Sequence, residues 1–182
     1  PTQNAAAPSH AGIYRGDDGD VILEAGGDQL FLLQDGGRVL IEWLDETTAL
    51  IDHPRWDRYP VCFEIEANDQ VVGFVHGPQW YATDGYTGPR TFEYPAAWNS
   101  YVGHYRTHNP WESNFRIIVR KGALLLVAPN GDEEPLTPLG DAMFTIGDPA
   151  LSPERIRFDQ VVDGAAWRAM RSGCAYYRFF VP

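Results

Sequence analysis

Apolar and polar positions alternate with a period of two along much of this chain. In "RIRFDQVV", Ile156, Phe158 and Val162 share one face, and Arg155, Arg157 and Asp159 share the other. In "YPVCFEIEA", Val61, Phe63 and Ile65 alternate with Glu64 and Glu66. "FRIIVR" and "YYRFF" alternate more loosely. Side chains of a strand point to opposite faces in turn, so these runs predict half-buried β-strands. Turn formers punctuate them: Asp35-Gly36-Gly37, Asn68-Asp69, Lys121-Gly122, Asn130-Gly131 and Asp163-Gly164. No segment carries a sustained i, i+3, i+4, i+7 pattern, so no helix is predicted. The second half reads as strands near 101–107, 115–121, 123–128, 133–139, 142–146, 154–162, 165–171 and 174–180. Eight short strands joined by tight turns form an antiparallel meander that closes on itself and removes its edges.

The pattern also repeats. Gly12-Ile13-Tyr14-Arg15 returns as Gly103-His104-Tyr105-Arg106, and "GGDQLFLLQDGG" (26–37) matches "VRKGALLLVAPNGD" (119–132). Leu44 pairs with Leu139, Phe63 with Phe158 and Tyr81 with Tyr176, all 95 positions apart. Order and spacing persist, which predicts a duplicated domain. The expected organisation is a linker over 1–10, a first barrel over 11–82, a connector over 83–98 and a second barrel over 99–182. The expected fold is all-β: two tandem eight-stranded antiparallel meander barrels related by internal duplication. Such a barrel is either filled by side chains or just wide enough for one small ligand. The opening "PTQNAAAPSH" has neither the basic segment nor the apolar stretch of a signal peptide and reads as interdomain linker, which suggests a piece of a longer protein.

Composition narrows the partners. The 182 residues are 44% hydrophobic, ample for two small cores, and carry 25 Asp and Glu against 14 Lys and Arg, a formal charge of −11. Nucleic acid and anionic membrane surfaces both need clustered basic charge, so neither is an expected partner. No apolar run approaches the roughly 20 residues of a membrane-spanning helix. The two cysteines, Cys62 and Cys174, lie outside any C-x-x-C, and Cys62 sits in an alternating run as a structural thiol.

Reactive-looking side chains concentrate in "YVGHYRTHNPWES" (101–113). Gly103, Tyr105 and Arg106 have counterparts in the first copy, so this is an opening strand, and His104 stands where the first copy has Ile13, a packing position. His104, His108 and Glu112 do not make a metal site: two strand residues four apart share a face but sit about 13 Å from each other. No metal and no cofactor is expected. The loop that follows is longer than "GDDGD" of the first copy. Here His108, Trp111 and Asn114, with Asn109, Pro110 and Glu112 beside them, are expected to face a partner domain or a ligand at the barrel mouth rather than the core, because exposed aromatics among polar neighbours make interface hot spots. Catalytic patterns are missing. The single lysine, Lys121, follows Ile118 at the position where S-x-x-K needs serine, and there is no G-x-S-x-G. Asp17-Asp18 and Glu133-Glu134 fall in turns of an acidic chain and read as solvated surface.

From about residue 99 onward, "YVGHYRTHNPWESNFRIIVRKGALLLV", "EEPLTPLGDAMFTIG", "SPERIRFDQVVDG" and "SGCAYYRFF" resemble the C-terminal accessory region of bacterial serine hydrolases of the beta-lactamase, penicillin-binding protein and D-aminopeptidase superfamily. The resemblance covers about 85 residues well and reaches the first copy only through the repeat. It implies lipocalin-like eight-stranded barrels that follow a catalytic S-x-x-K domain, which this chain lacks. The function it implies is a non-catalytic accessory module that packs on a serine-hydrolase domain in cis, helps shape its substrate cleft or mediates subunit contacts, with homo-oligomerisation a further option. The alternative is a lipocalin-like module that holds a small molecule or peptide. The compartment implied is bacterial cytoplasm or periplasm.

Overall fold

A computed structural model describes residues 7–108, 110–151 and 153–179. The chain divides between Arg90 and Thr91 into two compact units. The first holds β1 (Gly12–Gly16), β2 (Gly19–Gly26), β3 (Gln29–Gln34), β4 (Gly37–Trp43), β5 (Thr48–Ile51), β6 (Val61–Ile65), β7 (Val71–His76) and β8 (Gln79–Thr83). The second holds β9 (Gly103–Arg106), β10 (Asn114–Arg120), β11 (Ala123–Val127), β12 (Glu133–Gly140), β13 (Met143–Ile146), β14 (Arg155–Val162), β15 (Ala165–Arg171) and β16 (Cys174–Phe179). Each set pairs antiparallel in sequence order, and its last strand pairs with its first, giving two closed eight-stranded meander barrels. Among the described residues no helix is long and apolar enough to cross a membrane.

Turn chemistry sets the register. In Asp35-Gly36, Lys121-Gly122, Asp163-Gly164 and Ser172-Gly173 both residues have positive φ. That is the type I′ geometry, whose twist matches the flanking strands. Each barrel's core side chains occupy its axis. Leu30, Leu32, Phe74 and Tyr81 are almost fully buried in the first barrel, as are Phe115, Leu124, Leu126 and Ile146 in the second. Each contributes about 1.5–3 kcal/mol by leaving water.

The two cores correspond position by position, with one exchange. On β5 the first barrel has Ala49 and on β7 it has Phe74; at the same register the second barrel has Phe144 on β13 and Ala169 on β15. All four are buried. In the first barrel Phe63 meets the ring of Phe74 at 5.6 Å, and in the second its counterpart Phe158 meets Phe144 at 5.9 Å. The large side chain has moved from one strand to another while the filled volume stays similar.

The stretch expected to be linker ends in ordered structure. Ala7–His10 forms a 3-10 helix, and His10 is buried with its ring edge-on to Trp43 and Phe63. The stretch expected to be connector is shared between the two units. Arg90 bonds back to the Thr83 and Tyr86 carbonyls within the first unit, whereas Ala96–Ser100 forms a second 3-10 helix that brings Trp98 and Tyr101 onto the second core. Both helices are tied to the first strand of their barrel in the same way. The Tyr14 hydroxyl donates to the His10 carbonyl at 2.7 Å, and the Tyr105 hydroxyl donates to the Tyr101 carbonyl at 2.8 Å, with the Ala166 carbonyl also within 3.1 Å. Burial raises the pKa of both phenols, so they remain neutral donors. His104 and Ile13 lie on the outer surface: Ile13 is exposed, and His104 is half-buried against Phe179.

The exchange generates a prediction for denaturation experiments. Ala49→Phe alone should overpack the first barrel by about 1–3 kcal/mol, and Phe74→Ala alone should cost about 3–5 kcal/mol. The double variant should cost less than the sum by at least about 1 kcal/mol. Additive losses would show that the two sites do not share volume.

Candidate functional site

Each barrel has one end closed by its 3-10 helix and an opposite rim. In the second barrel that rim is built from the β9–β10 loop (107–113), the β13–β14 loop and the β15–β16 turn. The first barrel joins β1 to β2 through Asp17-Asp18 alone, so the longer loop belongs to the second. The Thr107 amide donates to the Ser113 carbonyl at 2.8 Å and clamps the base of the loop.

Beneath it lies a buried guanidinium. Arg171, the last residue of β15, has a side chain only 9% exposed. It donates from Nη1 to Glu112 of the loop and from Nη2 to Glu154 at 2.9 Å. The Ser172 hydroxyl bonds the other Glu154 oxygen at 3.3 Å. Burial works against the charge of Arg171, but the Glu154 hydrogen bond and the field of Glu112 outweigh it and hold its pKa above the usual value. Burial, with Glu112 second, also pushes the Tyr176 phenol up. A charge-assisted pair of this kind fixes position as well as charge.

The three residues singled out from the sequence separate here. Trp111, next to the anchored Glu112, is 93% exposed, and His108 in the same loop is exposed too. Asn109 lies outside the described residues. Asn114 is half-buried on β10, where its Oδ1 accepts from His104 Nε2 at 3.0 Å and its Nδ2 donates to Ser113 Oγ at 3.1 Å. It braces the outer wall below the loop and is not grouped with the two rings at the tip. Arg171 and Glu154 escaped sequence reasoning. The available signal was the repeat itself, since an arginine stands at 171 where the first copy has His76, 95 positions earlier. Among the described residues no three His, Cys, Asp or Glu side chains converge as a metal site would need, and Cys62 and Cys174 are free thiols. The arrangement offers a loop anchored through Glu112, with one indole projecting into solvent.

No family model matches the chain, and no curated protein matches it.

Trp111→Ala should leave thermal stability within about 0.5 kcal/mol, as for other surface changes. Glu112→Gln leaves Arg171 paired with Glu154 and should cost about 1 kcal/mol, whereas Glu112→Gln with Glu154→Gln strands a buried cation and should cost about 3–5 kcal/mol. Urea denaturation of the three proteins checks the order. A large loss from Trp111→Ala would place the indole in the core.

Proposed function

We propose that this chain is a non-catalytic accessory module of a serine hydrolase of the beta-lactamase and D-aminopeptidase type. Its lipocalin-like barrels pack on the catalytic domain, and the rim of the second barrel shapes the substrate cleft or a subunit contact. The observation that carries this reading is Trp111, almost fully exposed on a loop whose next residue is salt-bridged to a buried arginine. The anchored neighbour limits the backbone freedom lost on docking, and tryptophans buried on binding are common anchors of protein interfaces. The occupied barrel axes favour an outer working surface over a ligand held inside a barrel. The resemblance of residues 99–182 to the accessory regions of that superfamily supplies the partner class, and the formal charge of −11 disfavours nucleic acid.

Alone, the chain should turn over neither nitrocefin nor p-nitrophenyl acetate. Joined to or mixed with its S-x-x-K domain, Trp111→Ala should weaken docking or raise KM by about tenfold or more, the scale of a single hot-spot residue. Turnover by the repurified chain, or a complete reading frame with no such domain beside it, would overturn the proposal.

A further inference from the structure

The corresponding rim of the first barrel has different chemistry. At the position of Arg171 it has His76, the last residue of β7, and the loop facing it is "DHPRWDRYP" (52–60) between β5 and β6. Loop and barrel rim enclose an open cleft of about 330 Å³. Trp56, only 2% exposed, forms its floor and caps the barrel axis. Tyr59 stands edge-on to the His76 ring at 5.7 Å, and the Trp56 ring lies 4.7 Å from it on another side. Gly77 holds this geometry: its φ is +55° and a Cβ there would meet the Tyr59 ring at 2.4 Å, so both the turn and the ring's seat require glycine.

His76 is 8% exposed and lines the cleft. Its Nε2 lies 3.1 Å from the Trp56 carbonyl, which can only accept, so the proton sits on Nε2 and Nδ1 keeps its lone pair. Desolvation lowers the pKa of the ring and keeps it neutral. Arg55 and Arg58, both exposed, line the cleft together with one carboxylate, Asp18. Arg55 reaches Asp18 at 3.5 Å, while Arg58 has no carboxylate in ion-pair range among the described residues. In the second barrel the buried cation is already neutralised by Glu112 and Glu154, which close that end. On a chain of formal charge −11, the lining of the cleft itself carries two arginines and one acid, while Asp17, Asp52 and Asp57 stand in the same loops outside that lining.

We infer that this cleft binds a small organic acid whose carboxylate sits beside a flat ring bearing a hydrogen-bond donor. The two arginines hold the carboxylate, with Arg58 free to do so. The ring lies above the Trp56 floor against Tyr59 and Pro78, and its donor reaches Nδ1 at the open edge of His76. At roughly 30 Å³ per water-sized group, the space takes about ten non-hydrogen atoms. The inference does not rest on the docking role proposed above, because the cleft belongs to the first barrel alone.

Isothermal titration of the chain with 4-hydroxyphenylacetate tests it. The expected Kd is on the order of 0.1 mM, the scale reached by ligands of this size. The methyl ester should bind at least tenfold more weakly, and phenylacetate, which lacks the ring donor, at least threefold more weakly. Arg58→Gln, an exposed change, should weaken the acid at least fivefold, while Arg155→Gln on the other barrel should leave it unchanged. Acetyl-Ala-Ala-Tyr and its amide separate the sources of such a group: tighter binding of the peptide acid assigns the cleft to a protein C-terminus, tighter binding of the free acid to a soluble compound, and both sustain the carboxylate site. No saturable heat below 10 mM for either acid, equal affinity for acid and ester, or indifference to Arg58→Gln would overturn it.

Discussion

An eight-stranded barrel is too narrow to stay hollow unless a ligand fills it, and that constraint organises this molecule. The inward positions of all sixteen strands must supply matched volumes, and both barrels do so with a band of leucine and isoleucine crossed by stacked aromatic rings. Volume is conserved where identity is not, as the exchange of Ala49 and Phe74 for Phe144 and Ala169 shows. Closing the sheet also creates two open ends, where the core would meet water. One end is sealed by a 3-10 helix latched through a buried tyrosine hydroxyl, which satisfies a carbonyl that the helix cannot satisfy itself.

With the axis full and one end sealed, the opposite rim is left to vary. There the two barrels solve the same problem with unlike chemistry. The second buries a cation and surrounds it with acids carried by two separate loops, which stiffens them. The first buries a neutral imidazole against tryptophan and keeps its cations at the surface. A rigid strand scaffold with short, adaptable loops commonly divides labour in this way.

Much of this was legible in the chain. Strands announced themselves by alternation because one face of each is dry and the other wet, and the hairpins by dipeptides such as Asp163-Gly164, whose backbone must turn left-handed. The duplication showed through Tyr81 and Tyr176, which both end up in the cores. The 3-10 helices were missed because four or five residues are too few to display a period. The sites were harder still. Glu112 and Arg171 are 59 positions apart, and only closure of the barrel brings them together. Asn114 looked like part of the loop because it neighbours it in sequence, but the pairing of Asn114 with Arg106 puts it on the wall beside His104. In the first copy, Arg55, Trp56, Arg58 and Tyr59 carried a readable alternation of cations and rings, yet nothing local revealed that His76 would sit behind them.

In each barrel the first and last strands are hydrogen-bonded neighbours, with the incoming helix and the outgoing chain at the same end. Topologically each unit is therefore a plug-in cassette. Its two ends could be joined and new ones opened in any hairpin, such as Lys121-Gly122, without changing a strand pairing. The same arrangement lets one copy follow another without a crossover. It also keeps every covalent connection between modules away from the rims that carry Trp111 and His76, so those surfaces can change without disturbing the joint that holds the chain together.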